Sequence, residues 1–201
     1  MKAAASAQLR LLDLQATDTA ISQAEHRRRS LPEHAAIAEA RAARAKLGEA
    51  LVAARTRVAD LQLEQEKAEA DLAPVRERRL RDQRRVDEGT VTDPKQISAL
   101  IEEIAHLGRR ISDLEDIELE FMEELEGATA EHDRLAQELS ELEASARALI
   151  ASRDAQVAAL DAELAQHRAT RDGIVAEIPS ELVALYDRIR VRAGGLGAAA
   201  L

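Results

Sequence analysis

The stretch Asp93-Pro94-Lys95-Gln96-Ile97 opens a run that meets no further proline until Pro179. Apolar residues recur along it at steps of three and four: Ile97, Leu100, Ile104, Leu107, Ile111 and Leu114, then, past a polar Glu118, Phe121, Leu125 and Ala128. The seam continues, with gaps, through Leu135, Leu139, Leu142, Ala146, Leu149, Leu160, Leu164, Ile174 and Ile178. This is the a/d heptad pattern of a helix that packs lengthwise against another helix. Roughly 85 residues at about 1.5 Å each predict a rod on the order of 125 Å long. A compact domain of this size has no room for it.

Upstream, Glu88-Gly89-Thr90-Val91-Thr92-Asp93-Pro94 reads as a turn. Gly89 suits a helix end in the left-handed region, Asp93 with Gln96 suits a capping box, and Pro94 suits the first helical position. Residues 33–88 read as a helix with the seam Ile37, Ala40, Leu47, Leu51, Ala54, Val58, Leu61, Ala68, Leu72 and Val75. Arg44 and Gln65 are polar intrusions on that seam, and Pro74 predicts a bend. Ser30-Leu31-Pro32 breaks the chain. The first helix, 6–30, is expected to bury Leu9, Leu12, Ala16, Thr19 and Gln23, with Leu11, Leu14 and Ile21 widening the stripe. A short turn between two long amphipathic arms makes an antiparallel pair.

The expected fold class is therefore all-α. It is a long antiparallel coiled-coil helical hairpin, with helices at about 6–30, 33–88 and 94–178 and a turn at 89–93. A short helix over 179–192 packs at the open end, and residues 193–201 form a Gly/Ala-rich linker. The hairpin closes on itself, so a monomer is expected, or a weak dimer through a second apolar stripe.

Alanine and leucine dominate the 46% apolar fraction and aromatics make up 1%, the balance of a long helix and not of a compact core. A net charge of -10 repels nucleic acid and anionic membranes, so such binding needs a local basic patch. The absence of cysteine excludes disulfides and fits a reducing compartment. No stretch has the length and apolarity of a signal peptide core or a membrane span. The expected location is the cytoplasm, with no membrane partner.

The chain resembles a bacterial family that joins an N-terminal coiled-coil hairpin to a C-terminal four-cysteine zinc ribbon. The likeness rests first on Leu11-Leu12-Asp13-Leu14-Gln15 with Asp18 and Leu31-Pro32. It continues in Ala99-Leu100-Ile101-Glu102-Glu103-Ile104 and Arg110-Ile111-Ser112-Asp113-Leu114-Glu115-Asp116, and in Ile178-Pro179 with Leu182, Tyr186, Arg188, Ile189, Arg190 and Gly194-Gly195. The resemblance implies nucleic-acid binding and, in some bacteria, chaperoning of an alternative sigma factor and of secretion or flagellar components. It implies zinc only if a ribbon follows Leu201, since no zinc ligand carries over to these residues.

Two charged stretches are candidate sites. Val75–Arg85 holds Arg76, Arg78, Arg79, Arg81, Arg84 and Arg85 against only Glu77 and Asp82. Arginine forks suit phosphates, while interhelical ion pairs are the alternative use, and no aromatic is interleaved to stack bases. Heptad count places Arg76 and Arg79 nearer the seam and makes Arg78, Arg81, Arg84 and Arg85 the binding candidates, together with Arg188 and Arg190. The second stretch is an acidic patch: Asp113, Glu115, Asp116, Glu118, Glu120, Glu123 and Glu124. It reads as a solvated face or as a receptor for a basic partner. Phe121 and Met122 within it read as seam packing, or as one residue on the seam and one exposed. His26, His34, His106, His132 and His167 form no i, i+4 pair, and His132 and His167 are expected on the seam as register markers. No catalytic constellation is present in the sequence. The expected function is a non-enzymatic adaptor or chaperone-like scaffold for protein partners. The alternatives are a nucleic-acid-binding protein using the basic tip and the ribbon, or a structural arm of a larger assembly.

Overall fold

The computed structural model describes residues 4–199. Among the described residues four helices follow one another: α1 (Ala5–Arg29), α2 (Pro32–Asp87), α3 (Pro94–Ala176) and α4 (Ser180–Arg192). The fold is all-α, an antiparallel coiled-coil helical hairpin with a short C-terminal helix. The chain forms two units, residues 43–143 and residues 1–42 with 144–201.

The 43–143 unit contains the hairpin turn. α2 ends at Asp87, Gly89 takes φ 63°, and α3 starts at Pro94. The Asp93 carboxylate accepts from the Lys95 amide at 3.1 Å, so it caps the second helical residue without the reciprocal bond expected from Gln96. Pro74 lies within α2, which continues through it. The core here is Leu72 packed on Ile111 and Leu114, with Val75 beside them. Ion pairs run along the flanks of the seam: Arg78 with Glu103 at 2.8 Å, Arg76 with Glu115 at 2.5 Å, Arg44 with Glu143 at 2.8 Å, and Arg57 with Glu124. Opposed charges at flanking heptad positions set the pairing of the two arms.

Several seam expectations need correction. Leu51 and Leu139 are half-buried, not buried, because two helices shield only the facing side of each leucine. Arg44 is exposed and reaches outward to Glu143, so it is no intrusion into the seam. His132 and His167, expected on the seam, are half-buried like Leu51 and Leu139 and sit against Asp133 (3.0 Å) and Glu163 (3.6 Å).

In the other unit, α1 ends where Ser30 donates its amide to His26 O at 2.9 Å, and Leu31 turns inward. Pro32 starts α2. Glu33 in its first turn accepts from Ser152 at 3.2 Å and from Gln156, tying α2 to α3. Its pKa lies below the ordinary carboxylate value, chiefly through its bond to its own backbone amide. Arg27 and Arg28 at the C-terminal end of α1 pair with Glu163 (2.5 Å) and Asp161 (3.1 Å) on α3. Leu14, Ile178, Leu182 and Tyr186 form the apolar core, with Leu11, Ile174 and Val175 against it.

The phase expected for α1 is wrong. Leu9 is 65% exposed, and Ala16, Thr19 and Gln23 are also exposed. The buried face is Leu14, Asp18 and Ala24. A carboxylate occupies the inward position, so a phase read from apolar residues alone was rotated away from it.

Candidate functional site

In the 43–143 unit the arginines do not divide as expected. Arg76 is 53% exposed, against 58% for Arg78, 63% for Arg81 and 54% for Arg85. Their long stems carry every guanidinium out of the narrow seam, whatever the heptad position of the Cα. Arg78 is held by Glu103, while Arg81 lies 3.6 Å from Glu77 and Arg85 lies 3.5 Å from Asp82. Among the described residues, Arg79, Arg84, Arg109 and Arg110 have no carboxylate partner. Arg109 and Arg110 were outside the expected set and add to the basic surface. All these groups are solvated, where single ion pairs are worth about 0–1 kcal/mol. They are therefore free to exchange partners.

The acidic stretch lies on α3 of the same unit. Glu115 and Glu124 are engaged by Arg76 and Arg57. Asp113, Asp116, Glu118, Glu120 and Glu123 have no cationic partner among the described residues. Glu118 sits half-buried at a seam position. Apolar side chains lie exposed among these carboxylates: Ile117 at 40%, Leu119 at 55% and Met122 at 45%. Phe121 is half-buried, so the pair divides, one toward the seam and one outward.

The other unit holds a polar knot. Asp18 is 2% exposed. Its carboxylate accepts from Tyr186 Oη at 2.9 Å and from Arg171 Nε at 2.8 Å, with Arg190 Nε at 3.6 Å. Arg171 reaches on to Asp187 at 3.1 Å. Arg190 Nη2 donates to Asp18 O and Ser22 Oγ, at 3.3 and 3.1 Å. Arg190 is thus an internal clamp, which corrects its reading as a partner-binding residue; its reach inward was hidden because Asp18 did not look buried. Arg188 is exposed and donates to Ala184 O at 3.3 Å. Burial of a carboxylate is tolerated only with this kind of pairing and hydrogen bonding.

Tyr186 is 1% exposed, and burial first, then its bond to Asp18, raise its pKa above the ordinary tyrosine value. An unfolded tyrosine ionises near pH 10. The folded group holds its proton more tightly, so its contribution to stability is complete below about pH 10 and is lost as pH rises through the folded pKa. Tyr186 is the chain's single tyrosine. A titration of tyrosinate absorbance is therefore expected to show one step displaced above the ordinary tyrosine value. A step at the ordinary value would mean that the hydroxyl is solvated.

The Gly/Ala segment is docked and not a free linker over its described part. Gln15 binds Gly195, Gly197 and Ala198. Residues 200 and 201 lie outside the described residues.

Among the described residues no three of His, Cys, Asp and Glu are grouped so as to hold a metal ion. With no cysteine, the chain does not supply the thiolates of a zinc ribbon. No described helix is long and apolar enough to cross a membrane.

The chain is 33% identical over all of its length to an uncharacterised protein of Mycobacterium tuberculosis, covering 81% of that protein. It is 31% identical over 90% of its length to an uncharacterised protein of Mycobacterium leprae, covering 77% of it. A solved structure from Mycobacterium smegmatis matches with a TM-score of 0.76 and 31% identity, over 96% of this chain and 80% of that one. Residues 14–194 match the model of the CT398-like coiled coil hairpin domain, and the chain belongs to that family.

Proposed function

We propose that the protein is a non-enzymatic, cytoplasmic coiled-coil adaptor, a chaperone-like scaffold that binds protein partners. The observation that carries this reading is the acidic stretch on α3, where unpaired carboxylates surround exposed Ile117, Leu119 and Met122. Such a surface fits a basic amphipathic segment of another protein, which meets apolar contacts and opposite charge at once. The partner class implied by the resemblance is transcription- or secretion-related. Asp18, the one buried carboxylate among the described residues, is committed to Tyr186 and Arg171, which supports a structural role for the knot. Zinc enters this reading only with a ribbon beyond these residues, and no step depends on it.

The test is fluorescence anisotropy with a basic amphipathic helical peptide. Asp116, Glu120 and Glu123, all exposed, changed together to Lys should weaken binding at least tenfold with helicity unchanged. Equal binding by this variant would sink the reading.

Unpaired Arg79, Arg84, Arg109 and Arg110 favour a second reading, nucleic-acid binding through the arginine-rich surface. Single-stranded RNA should then bind with an affinity that falls steeply between 50 and 200 mM salt, because phosphate contacts release counterions. Arg79, Arg84, Arg109 and Arg110 changed together to Glu should abolish it. RNA binding that survives the reversal, in protein shown folded by circular dichroism, would exclude these arginines.

A further inference from the structure

We infer that Gln15 is a latch: its side-chain amide reads the main chain of Gly194–Ala198 and holds this strap on α1, and Leu196–Ala198 of the strap releases while α4 stays folded. The latch stands independently of which surface takes a partner.

The amide of Gln15 uses its whole hydrogen-bonding capacity. Its Nε2 donates to Gly195 O at 2.9 Å and to Thr19 Oγ1 at 3.0 Å. Its Oε1 accepts from Gly197 N at 2.6 Å and from Ala198 N at 3.3 Å. Two donors and two acceptor sites are all that the group offers. The orientation is fixed, because a flipped amide would set its own N–H groups against two backbone N–H groups. The Tyr186 hydroxyl also lies 3.3 Å from Oε1, but its single proton is committed to the Asp18 carboxylate at 2.9 Å, the stronger acceptor.

The strap itself is built from residues that resist ordering. Gly194 and Gly195 take φ 63° and 111°, which side chains rarely adopt, and Gly195 donates its amide to Arg190 O at 2.8 Å, so these two glycines cap α4 and the releasing part is Leu196–Ala198. A Cβ at Gly197 would overlap the Tyr186 ring. Glycine loses more conformational freedom on ordering than any other residue. Gln15 thus supplies the strap's bonds to α1, at a site where the chain gains most from letting go. α4 does not depend on those bonds, since Leu182 and Tyr186 anchor it in the core and Arg190 clamps it to Asp18 and Ser22. Between strap and α1 lies a cavity of about 610 Å³, lined by Ser22, Gln23 and His26 on one side and Gly194 and Leu196 on the other. Release opens it.

The experiment uses the full chain, whose lack of cysteine allows clean labelling. Nitroxides at Gln23→Cys and Ala199→Cys should give one narrow short distance. Gln15→Ala should broaden and lengthen it, and should raise amide exchange at Gly197 and Ala198 at least tenfold with α4 protection unchanged. Gly197→Ala, which undocks the strap from the other side, should give the same pattern. Wild-type distances and exchange in both variants would overturn the latch. Loss of α4 protection along with the strap would also overturn it, because the two would then be one unit.

Discussion

Asp18→Ala is expected to cost about 3 kcal/mol and to loosen α1 and α4 together. The carboxylate accepts from Tyr186 and Arg171 and faces Arg190. Removing one member of a buried ion pair leaves the other charge uncompensated, typically at about 3–5 kcal/mol. The lower end applies because Arg171 and Arg190 keep 26% and 27% of their side-chain surface in water. Asp18→Asn retains shape and one acceptor, so it should fall between wild type and alanine. Hydrogen exchange resolved by peptide is the direct measurement. Protection should fall in 5–29 and 180–192 and persist around Leu72. Wild-type exchange in α1 for Asp18→Ala would show that the knot does not hold the helix.

Leu72→Ala is expected to cost about 2–4 kcal/mol, through lost transfer energy and a residual cavity between Ile111 and Leu114. Leu72 is 0% exposed, whereas Leu139 is only half-buried. Leu139→Ala should therefore cost about 1 kcal/mol or less, because water already reaches part of its surface. Urea melts of the two variants measure the contrast. Equal losses would mean that the seam is uniformly packed and that burial in this hairpin does not grade stability.

The fold was legible because its signals are repetitive. The α3 heptads, Gly89 and the Asp93-Pro94 start each act locally, and each appears where its residues stand. The α1 face is not legible from apolar periodicity, because its innermost position is Asp18. Apolar spacing puts Leu9 on the seam, whereas it faces water. What could have shown it is the step Leu11, Leu14, Asp18, Ile21, which is regular once Asp18 counts as inward. Arg190 followed the same error, since an arginine without a visible carboxylate partner reads as free. The graded exposure expected among the tip arginines failed for another reason. Heptad position governs the Cα, and a guanidinium at the end of an arginine stem is several bonds away from it.

The Asp18 knot also bears on how the protein is made. Asp18 and Arg171 are 153 residues apart in the chain, and Tyr186 is 168 residues from Asp18. At about 5–20 residues per second, α1 leaves the ribosome on the order of ten to thirty seconds before its partners exist. The turn at Gly89 lets α2 and α3 zip together from nearby residues as α3 emerges, while Leu11 and Leu14 wait uncovered. During synthesis α1 is therefore the segment most open to capture by a chaperone or by a neighbouring nascent chain, and the contacts that bury the carboxylate are among the last to close.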